Sequence, residues 1–296
     1  MDLGGASGKL TYAPDAWQTA MIIVGITCSL LFVLTFTMTR ERLKPAIKES
    51  SIANDLRSLL KNGPWWILLG GVLFFNFFGA IRYAVIPYYF TTQIAENATL
   101  SFFSIEFLFY AGIFFTLGEI ANMIGVAIAT PITFKIGKKS TFLYSLFAII
   151  GLCIAFYFVP TDCTSGYWTL LVLQIIMGIF TGIISPLVWS MYADISDYAE
   201  LKFKTASTGL IFSSSSMAQK FGGAFGTSAV LWLLAAFGFN TAEGAVQTPD
   251  AIEGLRMLIS WIPAGVAALS AIFIFIYPLT TRRMKEINTK LREFRG

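Results

Sequence analysis

Seven stretches of the chain are apolar over the roughly 20 residues that a helix needs to cross a bilayer's hydrocarbon core. They run from Trp17 to Met38, Trp65 to Tyr89, Phe103 to Phe134, Phe142 to Val159, Tyr167 to Tyr192, Thr208 to Phe239 and Leu255 to Leu279. A backbone in lipid must satisfy its own hydrogen bonds, so each stretch is expected to be helical. The reading is an all-α integral membrane protein with seven transmembrane helices. Composition agrees: charged residues make up 13% of the 296, against about 25% in soluble domains. The chain has no His, and Cys28, Cys153 and Cys163 lie far apart. Neither a metal site nor a disulfide framework is suggested, and no cofactor or nucleic-acid partner is expected.

Charge sets the orientation. Seventeen of the 21 Lys and Arg residues fall on one side: Arg40 to Lys61, Lys135 to Lys139, Lys202 and Lys204, and the tail from Arg282. Lys9 and Arg256 fall on the other, and Arg82 and Lys220 lie within spans. By the positive-inside rule the C-terminus is cytoplasmic and the N-terminus outside. The chain divides into an outer segment with one span (1–39), a cytoplasmic amphipathic linker (40–64), a six-helix bundle (65–281) and a basic tail (282–296). In the linker Ile52, Leu56, Leu59 and Leu60 share a helical face. Met284, Ile287, Leu291 and Phe294 share one in the tail, and both segments are expected to lie on the inner leaflet. An outside N-terminus with no basic leader suits a chain that follows further spans.

Ionisable groups within hydrocarbon cost on the order of 3 kcal/mol each, so they face cavities or partners. Lys220 heads a stripe with Ser213, Ser216, Gly223 and Thr227 at helical steps, which suits a wet surface. Ala218, Gly222 and Gly226 form a second stripe suited to close packing. Glu119 lies mid-span and is placed to pair with Lys220 or to take part in transport. Arg82, near Asn76, Tyr83, Tyr88 and Tyr89, is placed to reach Glu106. Aromatic rings among hydrogen-bonding groups suit sugars, although Tyr88 and Tyr89 also suit an interfacial belt. Asp194, Asp197 and Glu200 recur every three residues beyond the fifth span, as a solvated surface or as a gate holding basic residues of neighbouring helices.

The stretches Tyr192 to Lys202, Thr208 to Ser213 and Gln219 to Gly223 resemble the glycoside–pentoside–hexuronide:cation symporters of the major facilitator superfamily, as do Thr39 to Arg42 and Gly137 to Lys139. Where many members carry basic residues, this chain has Thr205 and Ala206. The resemblance implies that the seven segments are helices 6–12 of a twelve-helix transporter whose N-terminal bundle is missing from this chain. It implies a sugar substrate, a coupling Na⁺ or H⁺, residence in a bacterial inner membrane, and Lys220 near sugar and cation. A membrane-embedded enzyme or assembly subunit is the other class of reading. It lacks His and paired carboxylates.

Overall fold

The computed structural model describes residues 14–39, 52–94, 98–102, 105–204, 208–242 and 245–295. Asn97, Thr205, Ala206, most of the 40–51 stretch and the side chains of Glu106 and Phe294 lie outside them. The chain forms two compact units, Met1–Ala46 and Ile47–Gly296.

The first unit holds helix α1, Pro14–Met38. Its apolar part, Gln18–Met38, has a mean hydropathy of 2.3. The hydroxyls of Thr27, Ser29, Thr35 and Thr37 bond back to carbonyls three or four residues earlier. Polar groups satisfied within their own helix let α1 present an apolar surface to lipid.

The second unit begins with α2 (Ile52–Leu60) and α3 (Gly63–Gln93). The Asn62 side chain caps α3 by accepting from the Trp65 amide at 3.3 Å, and Pro64 sits in the first turn, where no amide is needed. A hairpin follows, β1 (Thr99–Phe102) against β2 (Ile105–Leu108), antiparallel with Thr99 opposite Leu108. The third span therefore begins at Ala111, not Phe103. Leu100 and Phe102 alternate with Thr99 and Ser101, and Ile105 and Phe107 flank Glu106, a period of two that favours a pleated surface and that the apolar total over this stretch hides.

Helices α4 (Ala111–Ile136) and α5 (Lys138–Tyr157) meet at Gly137, whose φ of 86° is open to glycine at little cost. A Cβ there would run into the Thr281 hydroxyl. Helix α6 (Thr164–Phe203) has 40 residues, about 60 Å at the ~1.5 Å rise of an α-helix. That is twice the ~30 Å hydrocarbon core, so one end carries Asp194, Asp197 and Glu200 beyond it. Helix α7 (Thr208–Ala236) follows.

The last apolar stretch is divided into α8 (Pro249–Ile259) and α9 (Trp261–Ile276), with Ser260 off helical geometry at φ −123°, ψ −86°. Pro263 accounts for the break. It has no amide hydrogen to give the carbonyl four residues earlier, that of Ile259. Regular bonding resumes with the Ala264 amide on Ser260 O at 3.0 Å.

Among the described residues six stretches are long and apolar enough to span: α1, α3, α4, α5, α6 and the α8–α9 pair. The expected seventh, α7, is long enough, but its serines, Gln219 and Lys220 lower its hydropathy.

Within the second unit α3 packs on α7 and α9, α4 packs on α6, and α5 contacts both α6 and α9. Small residues set the closest approaches. A Cβ on Gly222 would sit 2.6 Å from Leu73 O, and one on Gly226 would sit 2.6 Å from Ala80 Cβ, so the Ala218–Gly222–Gly226 stripe packs on α3 as expected. Gly178 and Gly182 of α6 play the same part against Gly118 and Asn122 of α4. Helix α10 (Thr281–Arg295) buries Met284, Ile287 and Leu291, and it packs on α6. The tail's apolar face is thus covered by protein instead of lying on a leaflet. In α2, Leu59 also turns inward, while Leu56 and Leu60 stay exposed.

Candidate functional site

A cavity of about 380 Å³ lies among α3, α4 and α6, with Gly223 of α7 at its edge. Four residues singled out from sequence line it: Asn76, Arg82 and Tyr83 from α3, and Glu119 from α4. Steps of three and four along α3 place Asn76, Gly79, Arg82 and Tyr83 on its cavity side.

Arg82 is buried, 4% exposed. Its Nη1 donates to Ile259 O at 2.8 Å and its Nη2 to Gln174 Oε1 at 3.1 Å. The guanidinium carbon lies 4.4 Å from the centre of the Phe156 ring, a stacked cation–π geometry. Arg82 therefore supplies the donor that Pro263 withholds from Ile259, and it ties α3 to α6 and α8. The side chain of Glu106, the partner expected from sequence, lies outside the described residues. The inward bond to Ile259 O fits the need of an orphaned carbonyl in hydrocarbon for a donor.

Glu119 accepts a short hydrogen bond from the Tyr83 hydroxyl, and the Tyr83 ring stacks on Phe115 with an interplanar angle of 1°. The expected Glu119–Lys220 pair does not form. Asn76 Nδ2 bonds back to Val72 O at 2.8 Å, leaving its carbonyl oxygen for the cavity. Asn122 Nδ2 donates to Thr181 Oγ1 at 3.2 Å, joining α4 to α6. Gln174, Thr181 and Ser185 of α6 complete the polar lining and escaped the sequence reading, since uncharged polar groups carry no intramembrane charge signal.

Ser213, Ser216 and Lys220 lie elsewhere, with Phe221, around an open depression on α7. All three are exposed, and Ser213 bonds only to Leu210 O of its own helix. Lys220 forms no hydrogen bond or ion pair with another described residue. The opposite face of α7 is buried and includes Ser214, which accepts from Trp65 Nε1 at 2.7 Å.

At the far end of α6 Asp194 holds Lys138 of α5 with both carboxylate oxygens at 2.7 Å, and Lys138 also donates to Ser190 O at 3.3 Å. Next to it Lys139 donates to Tyr277 O at 2.8 Å. Asp197 and Glu200 continue the same face, half-buried. Tyr89, considered for an interfacial belt, is buried.

The polar cavity lies among helices long and apolar enough to span a membrane, the outline of an integral membrane protein, and comparison with known proteins gives the family. A family model described as MFS/sugar transport protein matches residues 1–281. The chain belongs to this group of the major facilitator superfamily, and within it to the glycoside–pentoside–hexuronide:cation symporters. It is similar to a glucuronide carrier protein homolog of Escherichia coli strain K12, 29% identical over 92% of this chain and 55% of that protein. The isoprimeverose transporter of Lactiplantibacillus pentosus is 30% identical over 91% and 53%. The inner membrane symporter YicJ of Escherichia coli strain K12 is 27% identical over 95% and 58%. The chain thus spans little more than half the length of the curated relatives it matches.

Proposed function

We propose that this chain supplies the C-terminal part of a sugar:cation symporter that works by alternating access. The single observation behind this reading is the cavity, where amides, a hydroxyl, a carboxylate and a guanidinium converge beside aromatic rings between membrane-spanning helices. That mixture suits sugars, whose hydroxyls need donors and acceptors while their C–H faces rest on rings. In this reading α1 is helix six, α3 to α9 make the C-terminal bundle with α7 as the sixth span of the chain, and residues 40–64 link the two. An N-terminal bundle provides the facing half of the site. Na⁺ or H⁺ drives uptake, and the basic loops and tail face the cytoplasm.

Asp194 and Lys138 act as an inner gate in this scheme. Their ion pair locks α5 to α6, and parting it allows the cytoplasmic end to open. Lys220 lies where carboxylates or sugar hydroxyls of the facing bundle would meet it.

The experiment is uptake of radiolabelled glycosides into right-side-out vesicles carrying the full natural polypeptide, under an imposed Na⁺ or proton gradient. Accumulation that collapses with the gradient is the expected result. Gradient-independent uptake, or none across a panel of glycosides, pentosides and hexuronides, would reject the symporter reading. In the same vesicles a cysteine at position 48 should resist an impermeant thiol reagent until the membrane is opened.

A further inference from the structure

The guanidinium of Arg82 is buried, and among the described residues no carboxylate is paired with it. Its oxygen partners are a backbone carbonyl and an amide, Ile259 O and Gln174 Oε1. Phe156 covers one face, and the Cys153 thiol lies beside it. Among the described residues the ion pairs are Lys138–Asp194 and Arg282–Glu286, together with any formed by the charged residues of α2 and the inner end of α6, and none involves Arg82. The one carboxylate lining the cavity, Glu119, is bonded to Tyr83.

An arginine has five N–H donors; Ile259 O and Gln174 Oε1 engage two of them and the Cys153 thiol a third, which leaves two. A fixed, charged, donor-rich group at the wall of a 380 Å³ cavity is a receptor for an anion small enough to enter with a sugar ring. We propose that Arg82 is the anchor for a carboxylate on the substrate, so that the cavity selects hexuronides over neutral glycosides. This rests on the sugar-transport reading of the same cavity.

The roles of the other groups follow. Gln174 and Ile259 hold the guanidinium plane, Phe156 backs it, and its remaining N–H edge receives the carboxylate. Asn76, further along α3, and Glu119 of α4 take the ring hydroxyls.

Replacing Arg82 by a residue without a donor would strip Ile259 O of its partner and endanger folding. The informative variant is Gln174→Glu. It keeps the side chain's size and places a carboxylate where Gln174 Oε1 now stands, 3.1 Å from Nη2, neutralising the anchor in place. Binding of methyl β-D-glucuronide and methyl β-D-glucoside to the full natural polypeptide in detergent is measured by calorimetry, alongside gradient-driven uptake of each. The parent is expected to favour the glucuronide by roughly tenfold or more, the effect of a charge-assisted contact. Gln174→Glu should remove that preference, while Arg82→Lys should keep part of it.

Equal affinity for the two probes in a parent that shows cation-driven uptake overturns the inference and leaves the symporter reading standing. A preference that persists in Gln174→Glu also overturns it, since the anchor would lie elsewhere. A preference lost in Gln174→Glu without any cation-driven uptake upholds the inference and rejects symport. Binding of neither probe rejects both.

Discussion

The cavity beside α3 and the outward face of α7 carry similar side chains but differ in how they are completed. In the cavity Tyr83 meets Glu119, Asn122 meets Thr181, and Arg82 meets Gln174 and Ile259, so each charged group is held in place by another helix. On α7 the Ser213 hydroxyl turns back to its own helix, and Lys220 stands exposed. The cavity is preorganised by its own bundle. The α7 face has the chemistry of a site without opposing groups, as expected of a surface completed by another bundle. Burial separates the two more clearly than residue type does.

The largest expected effect concerns the packing that keeps these two faces apart. Gly222→Leu puts a branched side chain where a Cβ already lies 2.6 Å from Leu73 O. Pushing α7 off α3 should cost about 3 kcal/mol or more and leave little folded protein by size-exclusion and thermal melting. One residue on, Gly223 has open space around its Cβ position, so Gly223→Ala should fold normally. Similar losses in both would mean that α7 does not seat on α3 through this stripe.

Next comes Lys220→Met, which keeps the stem and removes the charge. If Lys220 serves a shared site, gradient-driven uptake by the full natural polypeptide should fall roughly 30-fold, the equivalent of about 2 kcal/mol for a lost charged hydrogen bond. The melting temperature should barely move, because no described contact is lost. Unchanged uptake would reduce the exposed face to surface.

The smallest effect is expected at the inner end. Lys138 is 32% exposed and Asp194 13%, so solvent weakens their attraction. Asp194→Asn should cost about 1 kcal/mol in thermal melts. It should also speed alkylation of a cysteine introduced at Ser190. Unaltered stability and alkylation would remove the pair from any gate.

Much of this was legible in the chain. The Gly222–Gly226 stripe and the Lys220 stripe follow from steps of three and four, and the structure sets one against α3 and the other outward. Gly178 and Gly182 carry the same spacing, but within a run so apolar that no polar face marks which side packs. The Arg82 contacts could not be read by periodicity, since Gln174 lies 92 residues away and Ile259 177. Only the fold brings such distant groups together. The hairpin at Thr99 to Leu108 was masked for a different reason: its apolar total matched a span although its period was two.

The bond between Arg82 and Ile259 O makes two remote positions answer to each other through time. Pro263 leaves a carbonyl without a donor, and Arg82 supplies one from another helix. A lineage that exchanges Pro263 for alanine closes its own helix at that point and releases position 82 from the duty of donating. A lineage that keeps the proline must keep a donor within reach. Positions 82 and 263 should therefore drift as a pair among relatives, with proline at 263 accompanied by a cation or amide at 82.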